Sequence, residues 1–365
     1  MTDSGYPLAV LETLKEWGSF SPGLDRSRSV LEAIGRPHMN YPHMVVGGTN
    51  GKGTVASNLA AALPGKTGLF VSPHVHDIRE RITVDGAWLP DALWQEAHRY
   101  IEARAPNPDL SFFEWLTLLA VVMFDLVGVD NAVFEVGLGG RLDSVNILDP
   151  DTSILTNVSL DHTEILGDTV EQIAQEKIEI ARQGRPFYLP ASILAIEAVR
   201  QRLEVLGCDS RPLALYGVFE DNLTVVNRVL EDRDLAPRKQ LLLPPARRLY
   251  LELGAGVYVD AAHNEAGWKG VADWIGASDK GRVNVLSALS LGRSPRCFLE
   301  VMKPVSKQVY VWDVPFEKAL GVEHWPAEVE VVKTTDLKGL LEEPLLVCGS
   351  MYMVGLFLEW AGVRS

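Results

Sequence analysis

The chain has 365 residues and a formal net charge of −14 at pH 7, which argues against a nucleic-acid backbone as its partner. That length is enough for two domains and a large core. Its cysteines, Cys208, Cys297 and Cys348, are too far apart for a zinc pattern or a disulfide framework, so a reducing cytoplasm is expected.

Residues 1–20 lack a basic stretch followed by an apolar core, so no signal peptide is expected. Helices are expected over 8–17 and 28–34, then an apolar strand over 44–47. This strand runs into Gly47-Gly48-Thr49-Asn50-Gly51-Lys52-Gly53-Thr54, and a helix is expected over 55–63. Strand, glycine turn, lysine, hydroxyl and helix suit a phosphate cradle, and a glycine-rich strand-to-helix turn with no ligand is the alternative. Glycines let several N–H groups converge on one anion, and the helix dipole adds positive charge there. Lys52 can reach terminal phosphates and Thr54 can ligate Mg²⁺. Gly53 separates the two, a departure from the common form in which the hydroxyl residue follows the lysine directly.

Further strands are expected over 68–71, 132–136 and 153–157, and helices over 89–103, 112–127 and 170–182. The apolar run 115–127 contains Asp125 and is shorter than the ~20 residues of a membrane span, so it reads as a buried helix. Strands separated by helices imply a mostly parallel sheet with ligands at the strands' carboxyl ends. The glycine loop, Ser72, Glu135 and the segment 160–163 all follow such ends. The prolines of Leu241-Leu242-Leu243-Pro244-Pro245 mark a linker. Beyond it, strands over 257–259, 283–289, 308–312 and 344–347 alternate with helices near 266–275, 295–302 and 352–360. The expected fold class is α/β. A P-loop-type parallel-sheet ATPase domain spans 1–243, and a smaller Rossmann-like α/β domain spans 244–365.

Glu135 ends an apolar strand, where a carboxylate needs a cation, an N–H cluster or a metal. With Thr54 in the loop, Mg²⁺ is the favoured partner. Lys177 lies beside the apolar stripe Val170, Ile173, Ala174 and Ile178, which suits a snorkelling surface lysine. Asp260, at a strand end, is placed for ribose hydroxyls. An exposed surface charge is the alternative for both Arg247 and Arg248.

Several segments together resemble the folylpolyglutamate synthase and dihydrofolate synthase family, relatives of the muramyl peptide ligases. They are Gly48-Thr49-Asn50-Gly51-Lys52-Gly53-Thr54, Phe70-Val71-Ser72-Pro73-His74, Glu80-Arg81-Ile82 and the run from Glu135 to Asp143. Leu160-Asp161-His162-Thr163, Glu176-Lys177, Asp260-Ala261-Ala262-His263-Asn264 and Cys348-Gly349-Ser350 complete the set. The resemblance implies ATP and Mg²⁺ as cofactors. It implies metal ligation by Thr54, Ser72, Glu135 and His162, and by Lys177 as a carbamate. Nucleotide contacts would come from residues 48–54, Asn222, Arg247 (or Arg248) and Asp260, and catalytic roles would fall to Lys52, Lys177 and His263. Substrate contacts would come from Gly23, Asp25, Arg26, Phe113, Glu114, Leu142, Asp143, His263, Ser350 and Tyr352.

The implied reaction joins L-glutamate to a folate or dihydropteroate carboxylate through an acyl phosphate. Such an intermediate needs water excluded, and closure of two domains would supply that. Small-molecule substrates, no nucleic acid, no membrane and a monomer are expected. A muramyl-type amino acid ligase and a P-loop switch without ligase chemistry are the alternatives. The chain departs from the family between Asn222 and Arg247, which is short. It also departs at Ser290-Leu291-Gly292-Arg293, where an acidic-lysine-acidic turn is usual.

Overall fold

The computed structural model describes residues 11, 14, 23–217, 220–278, 281–314, 316 and 318–363. Apart from Leu11 and Leu14, the helix expected over 8–17 lies outside the described residues. The chain divides into two compact units, Met1–Leu242 and Leu243–Ser365. No helix among the described residues is long and apolar enough to cross a membrane.

In the first unit the strands are β1 (His43–Gly47), β2 (Thr67–Phe70), β3 (Ile82–Val84), β4 (Ala87–Trp88), β5 (Asn131–Glu135), β6 (Thr152–Leu155), β7 (Pro186–Pro190) and β8 (Asp209–Leu213). They form one sheet in the order β4-β3-β2-β5-β1-β6-β7-β8. From β2 to β8 every pairing is parallel, while β3 and β4 run antiparallel at one edge. β1 is central and all five of its residues are buried, as expected for a strand covered on both faces. The helix Phe112–Val127 starts at a capping box of Ser111 and Glu114 and stops at Gly128, whose φ is +66°. Its apolar residues supply much of the core under β2 and β5.

The expected helix over 170–182 is shorter in the structure. It spans Val170–Lys177, a 3-10 turn follows at Ile178–Ile180, and Ala181 is extended. The early ending brings Ile180 under β1, where its Cδ1 lies 2.9 Å from where a Gly47 Cβ would stand. The Ile180 carbonyl accepts from Ser153 Oγ at 2.7 Å.

The second unit contains β9 (Leu249–Leu251), β10 (Val257–Asp260), β11 (Val283–Ser287), β12 (Ser306–Trp312), β13 (Glu330–Val332) and β14 (Leu345–Cys348). Their order is β13-β12-β11-β14-β10-β9, parallel except for β9. Both units are therefore α/β with parallel-dominated sheets.

Candidate functional site

β1 ends at Gly47, and the chain curls through 48–51 into the helix Lys52–Ala60. Gly51 caps this helix with φ +81°, and a Cβ there would lie 2.4 Å from Asn222 Oδ1. Glycine is needed twice over, for the left-handed backbone and for the approach of Asn222. Asn222 is buried, and its Nδ2 has no hydrogen-bond partner among the described residues. A buried donor without a partner beside the loop is an atom that a nucleotide could satisfy. Lys52 is the first residue of the helix, with Nζ 3.3 Å from the Thr49 carbonyl oxygen.

Glu135 is the last residue of β5, next to β1. Its Oε2 accepts from Ser72 N at 3.0 Å and stands 3.2 Å from where a Gly53 Cβ would be. The structure thus brings Glu135, Ser72 and the Gly53-Thr54 turn together. His162 has φ +48°. Its Nε2 lies 3.8 Å from Asp161 Oδ1 and its Nδ1 lies 3.7 Å from Glu164 Oε1. Among the described residues no three His, Cys, Asp or Glu side chains cluster as a metal site. The set expected here is different: two hydroxyls, one carboxylate, one imidazole and a modified lysine.

Lys177 is not a surface lysine. It is 4 % exposed, and its Nζ donates to the Gly48 carbonyl at 3.0 Å. Burial, and then Lys52 as a like charge, push its pKa down to about 7, while Asp161 and Asp143 pull the other way. Asp143 is buried and accepts from Leu138 N at 2.8 Å and Val145 N at 3.0 Å. Burial outweighs those bonds and pushes its pKa up to about 6. Leu142 precedes it, half-buried. Phe113 packs on Phe70, with ring centroids 5.5 Å apart.

Other expected substrate residues have structural partners. Glu114 accepts from Ser27 Oγ at 2.7 Å, from Arg26 at 3.0 Å and from Ser111 N at 2.8 Å. Burial penalises its charge, yet these donors hold its pKa below the usual glutamate value. Arg26 and Glu114 thus pair with each other. They join the helix Asp25–Ala33 to Phe112–Val127. Asp25 is fully exposed, 4.0 Å from Arg28, and Gly23 has φ +150°.

In the second unit, Asp260 is fully buried. Its oxygens accept from Arg248 N at 2.9 Å and Ala262 N at 2.8 Å, and Arg247 lies 3.6 Å away. The side chain therefore fixes the 246–248 turn, so a ribose hydroxyl would have to share oxygens already in use. Arg248 reaches the Gly270 carbonyl at 3.5 Å. His263 Nδ1 lies 3.2 Å from the Ala261 carbonyl. Ser350 Oγ is 3.3 Å from Ser290 Oγ, and Tyr352 stacks on Phe316.

Two arrangements were not expected from the sequence. Thr156 and Asn157 grip the backbone of Thr49 and Asn50, and Ser159 holds the Thr49 hydroxyl. Arg81, almost wholly buried, donates from Nε to His74 Nδ1 at 2.7 Å. Burial and then Arg81 push the His74 pKa down to about 3, so this imidazole is a neutral acceptor.

Residues 46–187 match the family model described as the Mur ligase middle domain. A probable bifunctional folylpolyglutamate synthase/dihydropteroate synthase of Haloferax volcanii is 42% identical over 188 residues, 49% of this chain and 22% of the relative. A dihydrofolate synthase/folylpolyglutamate synthase of Haemophilus influenzae is 35% identical over 222 residues, 59% of this chain and 50% of the relative. The matches thus span half or less of these two relatives. Escherichia coli FolC, solved in complex with DHPP and ADP, superposes with a TM-score of 0.85 over 97% of this chain and 96% of that one. At 24% identity that likeness establishes the fold. Over residues 46–187 the chain is thus similar to the Mur ligase middle domain, and about half of it is similar to folylpolyglutamate synthase/dihydrofolate synthase relatives.

Proposed function

We propose that the chain is an ATP- and Mg²⁺-dependent, ADP-forming ligase joining L-glutamate to a folate or dihydropteroate carboxylate. The carboxylate attacks the γ-phosphorus of ATP, giving an acyl phosphate and ADP. The glutamate amine then attacks the acyl carbon, loses a proton and expels phosphate. Solved relatives support this reading: one holds DHPP and ADP, and another holds Mn, AMPPNP and L-glutamate.

The observation that carries the proposal is the position of Lys177. Its buried amine, with a pKa near 7, lies against the Gly48 carbonyl of the glycine loop. A lysine in that state has a large neutral fraction at physiological pH, and a neutral amine is what CO₂ needs to form a carbamate. A phosphate-binding switch has no need of such a residue. Thr54, Ser72, Glu135, His162 and carbamylated Lys177 would hold Mg²⁺, which when bound would neutralise charge on the phosphates. Lys52 and the N–H groups of 51–54 would orient the γ-phosphate, so positioning and charge would carry most of the catalysis.

The test measures ADP release with ATP, Mg²⁺ and glutamate, offering dihydropteroate and tetrahydrofolate separately. Release that requires both glutamate and one of the pterin acids is the expected result. Release independent of both would make the chain an ATPase without ligase chemistry.

A further inference from the structure

Asn157 pairs with the backbone of Asn50 at both of that residue's polar groups. Asn50 N–H donates to Asn157 Oδ1 at 3.0 Å, and Asn157 Nδ2 donates to the Asn50 carbonyl at 2.8 Å. Thr156 Oγ1 donates to the same carbonyl at 2.6 Å. On the preceding residue, Thr49 N–H donates to the Asn157 carbonyl at 2.9 Å. The Thr49 hydroxyl accepts from Ser159 N at 3.1 Å and donates to the Ser159 carbonyl at 3.3 Å. The segment after β6 therefore holds the glycine loop at two consecutive residues, on both side chain and backbone.

We propose that Asn157 is a positioning residue for nucleotide binding, fixing the glycine loop in its anion-receiving shape. The proposal rests on reading that loop as an ATP site. Asn50 N–H is committed to Asn157, so it is not a phosphate donor. With Asn50 held, the next N–H groups, those of Gly51, Lys52, Gly53 and Thr54, lead into the first turn of the helix, where no intrahelical carbonyl claims them. A loop free to rock about Gly48 and Gly51 would present those groups in many orientations and bind an anion less tightly. The same segment continues into Asp161 and His162, so a displacement of Asn157 is passed to both sides of the site. Near neutral pH, where a carboxyl is ionised, a carboxamide is the side chain that offers a donor and an acceptor side by side to match a peptide N–H and C=O.

The discriminating variant is Asn157→Asp. At pH 8 its carboxylate still accepts from Asn50 N–H but faces the Asn50 carbonyl with a second oxygen and no proton. ATP binding by calorimetry is expected to weaken at least tenfold, with an unchanged melting temperature and an unchanged KM for glutamate. Asn157→Leu removes both the donor and the acceptor at similar volume and adds no charge, and it is expected to lose ATP affinity to a similar extent.

Wild-type affinity in either folded variant would overturn the proposal. Should neither fold, Thr156→Val removes one donor to the same carbonyl without changing shape, and a severalfold loss of ATP affinity is expected. No loss there would likewise overturn it. A wild-type chain that binds no ATP would instead remove the functional reading itself, and that is seen before any variant is made.

Discussion

The Nζ of Lys177 lies 3.0 Å from the carbonyl oxygen of Gly48, so one buried amine touches the glycine loop from a helix 129 residues away in sequence. This contact and the burial around it set Lys177 apart from a surface lysine. Lys177→Arg is expected to lose activity as fully as Lys177→Ala, since a guanidinium forms no carbamate. A short carboxylic acid added to Lys177→Ala should restore part of it. An active arginine variant would take Lys177 out of the site.

The same burial makes a prediction about stability. The folded-state pKa of Lys177, near 7, lies below its ordinary value of 10.5. Between those values the unfolded chain binds more protons, so stability rises with pH through that window, and the penalty is complete below about pH 7. In the metal-free protein, Lys177→Met should flatten this rise. Urea unfolding at about pH 6.5 and about pH 9 checks it. A mutant-to-wild-type difference that does not change with pH would show that no charged amine is being penalised.

Glu135→Gln isolates charge from shape, because glutamine keeps an oxygen to accept from Ser72 N, the 3.0 Å bond of the wild type. The Mg²⁺ concentration for half activity is expected to rise about tenfold or more, the scale seen when a metal site is perturbed. An unchanged magnesium titration would make Glu135 a structural partner of Ser72.

The glycine loop and the strand ends around it were legible because their signals are local: glycine spacing, a lysine with no core to pack against, and apolar runs of strand length. The β3–β4 hairpin was missed although Asp85 and Gly86, with φ +51° and +75°, are residues that favour such a turn. Its strands are three and two residues long, too short to show alternation. β7 is bracketed by Pro186 and Pro190, and β8 carries Pro212. Proline is a mark against strands that an edge such as β8 tolerates. The burial of Lys177 and the grip of Asn157 on Asn50 depend on contacts across more than a hundred residues, which no local pattern encodes. Arg26 and Glu114 matched family segments, yet a residue match does not reveal that two opposite charges satisfy each other.

Asn222→Ala is expected to separate stability from binding. Its Nδ2 is buried without a partner beside Gly51, and such a donor costs roughly 1–3 kcal/mol. Removing it should leave stability unchanged or slightly raised. If the amide serves the nucleotide, ADP affinity should fall about tenfold, the worth of roughly one hydrogen bond. Denaturant unfolding and ADP calorimetry on one preparation read both. Lower stability with unchanged ADP affinity would make Asn222 a packing residue.

The last prediction concerns acid. His38 is fully buried, and neither ring nitrogen has a hydrogen-bond partner among the described residues. Burial first, then His43 and Arg36, push its pKa from 6.5 down to about 4, with Asp149 opposing. His43 packs edge-on at 5.6 Å, and its pKa is lowered by burial too. Between about pH 4 and 6.5 the unfolded chain therefore binds more protons at His38. Stability should fall as pH drops through that window, with the full penalty reached below pH 4. His38→Leu fills a similar volume with no nitrogen to protonate or satisfy. Its advantage over the wild type should be small at pH 8 and should grow by about pH 5, as read by the midpoint of urea unfolding. Parallel pH profiles would mean that His38 does not titrate on unfolding, and that the acid sensitivity of this unit lies with other groups.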